Sequence, residues 1–469
     1  MVLSLLLLLP LLPACAAAAR AAQRGWNSFD ATGGCGNETQ ILAVADFMAQ
    51  HLLPYGYDLI TLDGGWQAST DAYGLPVPDA TLFPSTANGA GFRPLSDVLK
   101  SKGLRLGLWQ IKGISTDMVA ARGPIKDSPY TADQAASQDH KCTWDTTHLG
   151  VQDNPAGRAY YRSVAAVYAS WGVSFVKVDC MVGDGYHGRG ERVATGEGGT
   201  EWLGLSADDF TAFAAATLPL GIQLSVSPGW SMNVRNATYL SQLNASAYIQ
   251  YRISQDMGDL WQDSAGPHFF YPTGVKGKLD LFPLYSELIG VGGTFPDGDM
   301  LPLSVVVHLG TDLPPSPTRL TPAEQQLAVT LWVVARAPLI LGGRLPLEPS
   351  DKVTLPLLTN PEVLAVHNAS HGNAPVPVLG GGVDLHAWRA FLADSPGNAT
   401  TTAIFALFNG RDVAARVAVD LPGGGSFCIR DLWARKNVNV TSATLSVALE
   451  AHSAGLFSAS SPSACKKNE

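Results

Sequence analysis

Two aspartates each end a short apolar run, and each follows a basic residue at strand spacing. Asp179 ends FVKVD with Lys177 two positions before it, and Asp256 ends YRISQD with Arg252 four positions before it. Side chains alternate between the two faces of a strand, so each cation is expected on the face of its aspartate. An aspartate at a strand end also forms turns and caps helices, so either one alone carries little weight. Together, an ionised carboxylate and a protonated one are what retaining hydrolysis of a glycosidic bond requires.

The elements that must position these carboxylates alternate along the chain. Short β-branched and aromatic runs are separated by amphipathic stretches, clearest over 157–172 and 321–335, which is typical of a parallel α/β domain. Eight alternations favour a (β/α)8 TIM barrel, whose strands end at one rim and would bring Asp179 and Asp256 over one pocket. The predicted strands cover 24–29, 58–63, 104–110, 174–179, 222–227, 247–254, 289–295 and 335–341.

The sequence changes character after Asn373. Pro/Gly-rich turns there separate alternating Val/Thr/Phe-rich runs without helical periodicity, the pattern of an antiparallel β-sandwich. A chain of 469 residues has room for a barrel of about 250 residues with insertions and a smaller domain. We therefore predict a signal peptide over 1–22, a (β/α)8 catalytic barrel over 23–372 and a C-terminal β-sandwich domain over 373–469. The sandwich is expected to pack against the barrel.

Composition excludes several classes of function. Charged residues make up 15% of the chain and the net charge is −9, which argues against a nucleic-acid surface. The sequence contains no CxxC or HExxH motif, the spacings that would indicate a metal site. No GxGxxG follows an early strand, which argues against a dinucleotide fold. We expect no cofactor.

The N-terminus resembles a secretory signal peptide. An apolar run over 2–12 precedes an alanine-rich stretch with plausible cleavage near Ala19 or Ala22. The run is short and contains Pro10, so stable membrane insertion is not expected. We expect a secreted glycoprotein of the medium, cell wall or vacuole, because six N-x-S/T sequons occur. The sequons are at Asn37, Asn236, Asn244, Asn368, Asn398 and Asn439.

A longer set of motifs runs along about three quarters of the chain. They are RGWNSF (24–29), LITLDGGW (59–66), GLRLGLWQIKG (103–113), WGVSFVKVDC (171–180), YRISQD (251–256), PDGDML (296–301) and ARAPLILGG (335–343). In this order they resemble glycoside hydrolase family 27, the melibiase or α-galactosidase family. The resemblance implies that Asp179 is the nucleophile and Asp256 the general acid/base.

The resemblance also implies a set of sugar contacts. Aromatic rings beside strand ends suit the apolar face of a pyranose, so Trp26, Trp66 and Trp109 are candidates, with core packing as the alternative for each. The predicted substrate-binding residues are Trp26, Asp63, Trp109, Lys177, Arg252 and Asp299.

The family also implies a cysteine pairing. Its members bridge the loop after the third barrel strand to the loop after the nucleophile, where this chain has Cys142 and Cys180. Cys35 is expected to be unpaired, because the family's partner for it is missing here. Cys428 and Cys465 remain, and a bond between them is one way to close the C-terminal domain.

The second-strand motif departs from α-galactosidases, which have two aspartates, a cysteine and a tryptophan. This chain has Asp63, Gly64, Gly65 and Trp66. The cysteine is lost at Gly65, and the lost carboxylate lies where the family recognises the galactose 4- and 6-hydroxyls. The SVSPGW motif of the fifth strand also lacks an acidic residue found in many relatives. Both features resemble a plant-type branch that includes β-L-arabinopyranosidases, whose sugar is galactose without its sixth carbon.

We therefore expect a retaining glycoside hydrolase that removes terminal α-D-galactosyl residues, with a β-L-arabinopyranosidase or a dual-specificity enzyme as the alternative. Its partners would be galactoside or arabinopyranoside oligosaccharides and glycoconjugates; no feature indicates an oligomeric state. An inactive sugar-binding barrel would lack a catalytic carboxylate, and both are present. An inverting hydrolase would need carboxyl groups about 6.5–9.5 Å apart instead of about 5–5.5 Å.

Overall fold

The computed structural model describes most of the chain after the predicted signal peptide. Among the residues it describes, no helix has both the length and the apolar character that a bilayer span requires. The described residues are 21–138, 142, 145–181, 192–195, 199–202, 208–227, 248–254, 256–262, 274–393, 401–421, 427–440 and 443–460.

Eight parallel strands form one sheet in the order β7-β6-β5-β4-β3-β2-β1-β8. The sheet closes where Leu301 bridges to Leu341 of β8, with the Leu301 amide donating to the Ile340 carbonyl at 2.8 Å. This confirms the predicted barrel. Its strands are Arg24–Asn27 (β1), Leu59–Leu62 (β2), Arg105–Ile111 (β3), Val173–Asp179 (β4), Gln223–Ser227 (β5), Tyr248–Arg252 (β6), Phe295–Asp297 (β7) and Leu339–Leu341 (β8).

Helices and short turns of helix join the barrel strands. Capping residues set their ends: Asn154 accepts from the Gly157 amide at 2.8 Å, and Thr321 and Glu324 form a capping box. The helices of six or more residues are Glu38–His51 (α1), Arg93–Ser101 (α2), Pro155–Ser170 (α3), Asp208–Thr217 (α4), Val275–Leu281 (α5), Pro322–Val334 (α6), Thr354–Thr359 (α7) and Pro361–Ala369 (α8). Shorter α-helices are Phe29–Thr32, Thr116–Ala120 and Ala132–Ala135, and 3-10 turns are Leu53–Tyr55, Pro84–Gly89, Leu218–Leu220, Phe282–Leu288 and Val291–Gly293.

The seventh and eighth predicted strands start well before the observed ones, and the sixth extends past its observed end. The seventh was predicted from residue 289 but begins at Phe295, because Gly292 takes a left-handed φ of 63° inside a 3-10 turn. The eighth was predicted from Ala335, which instead caps α6 and is followed by Arg336 at a left-handed φ of 49°. The sixth ends at Arg252, so Asp256 lies on the loop after β6. The predicted shared strand face of Arg252 and Asp256 is therefore wrong.

The C-terminal part forms antiparallel sheets, as predicted. One sheet has the order β9-β10-β11-β16-β13-β14, and β12 pairs with β15. Phe405, Leu407, Val417, Ile429 and Leu445 belong to the core between them. The strands are His371–Pro375 (β9), Leu385–Ala393 (β10), Thr401–Asn409 (β11), Ala415–Asp420 (β12), Phe427–Asp431 (β13), Lys436–Val440 (β14), Thr444–Leu449 (β15) and Ser453–Ser460 (β16).

This sandwich packs on α6 and α8 of the barrel. Trp388 and Leu456 from the sandwich share one apolar core with Trp332 of α6. Trp433 Nε1 donates to Thr330 Oγ1 at 2.9 Å, which adds a polar contact across the interface. Remaining short strands are Gln67–Thr70, Pro76–Pro78, Ile114–Ser115, Ala136–Ser137, His148–Val151, Arg192–Thr195, Gly199–Trp202, Val305–Val306 and Ser316–Pro317.

Candidate active site

Asp179 is the last residue of β4 and is held by two donors. Trp109 Nε1 donates to its Oδ2 at 3.2 Å, and the Cys180 amide donates to its Oδ1 at 3.0 Å. Cys180 also forms the predicted disulfide with Cys142, with Cα atoms 5.6 Å apart. Burial raises the pKa of Asp179 to about 6, although the charge of Lys177 opposes the shift. The carboxylate therefore has a fixed orientation and a proton affinity above that of an ordinary aspartate.

Lys177 forms its ion pair with Asp63. Lys177 Nζ donates to Asp63 Oδ2 at 2.9 Å, and Asn27 Nδ2 donates to the same oxygen at 2.9 Å. The charge of Lys177 also lowers the pKa of Asp179, but burial outweighs it. The ends of β1, β2 and β4 thus meet in one polar cluster.

Asp256 is paired with Arg252, which also binds Asp299. Arg252 Nη2 lies 2.8 Å from Asp256 Oδ1, and Arg252 Nη1 lies 2.8 Å from Asp299 Oδ1. Asp299 Oδ2 accepts the Met257 amide at 2.7 Å. Desolvation by the surrounding protein would by itself raise the pKa of Asp256, but the charges of Arg252 and Lys177 bring this pKa below the usual value. The Asp256 side chain is 70% exposed, so a sugar can reach it.

The raised pKa of Asp179 and the lowered pKa of Asp256 predict an acidic pH optimum. The active form of such a pair carries one proton in total, whichever carboxylate holds it. The pair loses this proton as the pH rises through the raised pKa of Asp179, about 6. We expect kcat/KM to fall about tenfold per pH unit above pH 6, and to fall again at a pH below the lowered pKa of Asp256. A kcat/KM profile that stays flat to pH 8 would contradict this assignment.

The three candidate tryptophans have different environments. Trp66 is 2% exposed, donates to the Trp109 carbonyl at 2.9 Å and packs edge-on against Phe92, so it is a core residue. Trp26 is also 2% exposed, with its Nε1 donating to the Gly343 carbonyl at 2.7 Å. Trp109 is half-buried and donates a hydrogen bond to Asp179. Trp109 therefore lies at the site, and the sugar contact of Trp26 stays a prediction.

Two charged residues of this region were missed by sequence reasoning. Asp30 is 2% exposed, and within the described residues neither of its carboxylate oxygens has a hydrogen-bond partner. Burial and the nearby Asp299 raise its pKa well above the usual value, which favours its protonated form. Lys278 of α5 is fully buried, donates to Ser254 Oγ and lowers the pKa of Asp256. Asp30 directly follows the RGWNSF motif, whereas nothing in the sequence marks Lys278.

The glycines of the second-strand motif differ in their backbone. An added Cβ at Gly64 would meet the Trp109 ring at 3.6 Å, an ordinary contact, with no left-handed φ. Gly65 has a left-handed φ of 99°, and its Cβ would lie 3.8 Å from Cys35 Sγ. Cys35 is buried and free, as expected. Position 64 therefore accommodates a side chain, whereas position 65 favours glycine.

The C-terminal cysteine also has a partner. Cys428 is disulfide-bonded. Cys465, which the sequence suggests for this role, lies outside the described residues.

Known proteins resemble this chain over both domains. Residues 384–459 match the α-galactosidase C-terminal β-sandwich domain, Melibiase_C. Alpha-galactosidase 2 of Arabidopsis thaliana is 25% identical over 93% of this chain and 88% of its own length, and alpha-galactosidase of Coffea arabica is 24% identical over 92% of each. The crystal structure of a GH27 β-L-arabinopyranosidase from Geobacillus stearothermophilus is 27% identical with a TM-score of 0.79, covering 95% of this chain and 97% of that one. With the motifs in family order on a closed barrel, these matches show that the chain is a glycosidase whose homologues are α-galactosidases and whose structural neighbours include enzymes of glycoside hydrolase family 27.

Proposed function

We propose that this enzyme removes terminal α-D-galactosyl residues from galactosides with retention of configuration. The observation that carries the proposal is the pair formed by Asp179, the last residue of β4, and Asp256, on the loop after β6, each held by donors of its own. The pKa of Asp179 is raised and that of Asp256 lowered, so the form that reacts, with Asp179 ionised and Asp256 protonated, is the minor arrangement of the one proton that the pair shares. The named α-galactosidases that resemble the whole chain support the choice of sugar.

The proposed reaction has two displacements. A carboxylate oxygen of Asp179 attacks the anomeric carbon while Asp256 gives its proton to the departing glycosidic oxygen. Asp256, now ionised, removes a proton from a water whose oxygen then attacks the same carbon and releases Asp179. The Trp109 and Cys180 donors hold the carboxylate of Asp179 in place for attack.

Charged groups around the pair would recognise the sugar hydroxyls. The carboxylate of Asp63 accepts hydrogen bonds, and Lys177 and Arg252 donate them, so the cluster can bind several adjacent hydroxyls. Lys177 and Arg252 already neutralise Asp63 and Asp299. The charges therefore remain balanced within the site when a neutral sugar displaces water.

A second candidate activity is hydrolysis of β-L-arabinopyranosides. Gly64 favours it, because position 64, next to the Trp109 ring, supplies no carboxylate for the galactose 4- and 6-hydroxyls. An arabinopyranose has no sixth carbon and therefore no 6-hydroxyl, so it loses less binding energy than galactose when the carboxylate at position 64 is missing. The arabinopyranosidase that resembles the chain along nearly its whole length supports the same alternative.

Gly64→Asp should shift selectivity towards galactosides. A charge-assisted hydrogen bond is worth about 1.5–3 kcal/mol, so the kcat/KM ratio of α-galactoside to β-L-arabinopyranoside should rise about ten- to a hundredfold. Gly64→Asn, which has the same size without the charge, is the matched control. The measurement compares nitrophenyl glycosides of the two sugars. If the wild type already prefers the galactoside more than about a thousandfold, the missing carboxylate is compensated elsewhere and the strict α-galactosidase assignment stands.

We also propose that the enzyme follows the secretory pathway. The apolar N-terminal run and the six sequons support this, as does the disulfide between Cys142 and Cys180. The exposed Asn368 suits glycan attachment. An acidic cell wall or vacuole would also match the expected pH optimum.

A further inference from the structure

The loop that carries Asp256 reaches the sandwich domain. Five residues after Asp256, the ring of Trp261 stacks on the imidazole of His452, with ring centres 4.1 Å apart and planes 20° from parallel. His452 lies between β15 and β16 of the sandwich. A residue of the second domain thus touches the loop of the proposed acid/base.

His452 is held firmly in this position. Its Nδ1 lies 2.8 Å from Glu324 Oε1 and its Nε2 lies 2.8 Å from Asp412 Oδ1. Glu324 is fixed in turn by the capping box of α6. The backbone of His452 has a left-handed φ of 50°, a conformation that residues other than glycine adopt rarely. Contacts on both ring nitrogens and one ring face therefore determine where the imidazole stands.

Trp261 joins the loop of Asp256 to helix α5. The Leu260 and Trp261 carbonyls accept the first amides of this helix, from Val275 at 3.0 Å and Lys276 at 2.9 Å. Further along α5, Lys278 donates to Ser254 Oγ, two residues before Asp256. Helix α5 therefore contacts the segment that carries Asp256 both before Asp256, at Ser254, and after it, at Leu260 and Trp261. This segment and α5 are called the acid/base unit below, and the stack of Trp261 on His452 holds this unit.

The sandwich holds the same unit at a second point. Lys276 Nζ lies 3.0 Å from Asp384 Oδ2, and Asp384 belongs to the sandwich. This second point lies beside the Trp261 carbonyl contact. The outer side of the acid/base unit is thus bound to the second domain by a ring stack and an ion pair.

Asp256 depends on this support because its own side chain is open to water. It accepts a hydrogen bond from Arg252 at 2.8 Å and is 70% exposed. Its placement against a leaving oxygen is therefore set mainly by the backbone of its loop. Proton transfer in the transition state needs hydrogen-bond reach, and small displacements cost much of its contribution.

We propose that His452 is a positioning residue for the acid/base Asp256 and that the sandwich domain thereby takes part in catalysis. This inference rests on the proposed function. Through Trp261, His452 fixes the loop so that the Asp256 carboxyl meets the leaving oxygen. The step it supports is the protonation of poor leaving groups.

His452→Asn tests the inference, because asparagine tolerates the left-handed backbone but removes the stacked ring. The matched control is Arg435→Asn, since Arg435 also has a left-handed φ of 56° in the sandwich and also makes an interdomain ion pair, 3.3 Å from Glu362. We expect His452→Asn to lower kcat/KM about tenfold more for an alkyl glycoside than for a nitrophenyl glycoside. Arg435→Asn should leave the ratio of the two substrates unchanged. Trp261→Leu should reproduce the effect of His452→Asn.

Two outcomes would overturn the inference: equal losses on both substrates in His452→Asn, or the same change of ratio in Arg435→Asn. If His452→Asn does not fold, the ratio in Trp261→Leu decides. Asp256→Ala is measured in parallel with the same substrates. If Asp256→Ala shows the leaving-group dependence and the His452 and Trp261 variants do not, only the positioning role fails. If Asp256→Ala lacks the dependence, the proposed function itself fails.

Discussion

Asp179→Asn should lower kcat/KM at least about a thousandfold, because it removes the proposed covalent nucleophile, on which both displacements depend. The amide has the shape of the carboxylate, and its oxygen still accepts from Trp109 or Cys180, so the fold should persist. The pKa of Asp179 is raised in the folded protein, so its ionisation costs stability as the pH rises through about 6. Above that pH the variant should therefore be at least as stable as the wild type.

The measurement is kcat/KM on nitrophenyl glycosides, with thermal unfolding to show that the variant is folded. Asp58→Asn is a suitable control, because Asp58 precedes β2 at the opposite end of the barrel and pairs with Arg105 at 2.9 Å. Its loss should affect stability and leave the activity of the folded enzyme unchanged. Activity of Asp179→Asn within tenfold of the wild type would rule out its assignment as the nucleophile.

Asp256→Ala should have an effect that depends on the leaving group. An alkyl or sugar leaving group needs the proton of Asp256, so kcat/KM should fall about 10²- to 10⁴-fold. A nitrophenolate departs without protonation, and its kcat/KM should be nearly retained while the second step becomes slow. Azide needs no general base and should attack the glycosyl enzyme, which would restore turnover and yield a glycosyl azide.

The comparison requires both substrate types and product analysis with and without azide. Equal losses on the two substrates, together with the absence of a glycosyl azide, would mean that Asp256 only positions the sugar. The effect also separates Asp256 from Arg252, since loss of the guanidinium would weaken binding of every substrate and would not be rescued by azide.

The barrel could be predicted because its parallel strands are buried on both faces and therefore appear as short apolar runs. β2 and β6 are wholly buried, and both were placed within a few residues. The start of β7 could not be predicted, because Ile289 and Val291 suit a strand by residue type, while Gly292 directs the chain into a turn.

The site was predictable where a residue ends a strand and less so beyond it. Asp179 and Lys177 belong to β4, so alternation gave their relation correctly. Asp256 lies past the end of β6, and its contact with Arg252 depends on the loop and on Asp299. The contacts of Lys278 and His452 arise from tertiary packing between segments far apart in the sequence, which no local pattern encodes.

The most direct test of the account is covalent trapping with a 2-deoxy-2-fluoro glycosyl substrate that has a good leaving group. The fluorine slows both displacements, and the activated leaving group preserves the first, so a glycosyl enzyme accumulates. Mass spectrometry of the digested protein should then find one sugar on the peptide that contains Asp179, with inactivation proceeding in step with labelling. A label on Asp256, or a first-formed product of inverted configuration without any label, would contradict the central claim.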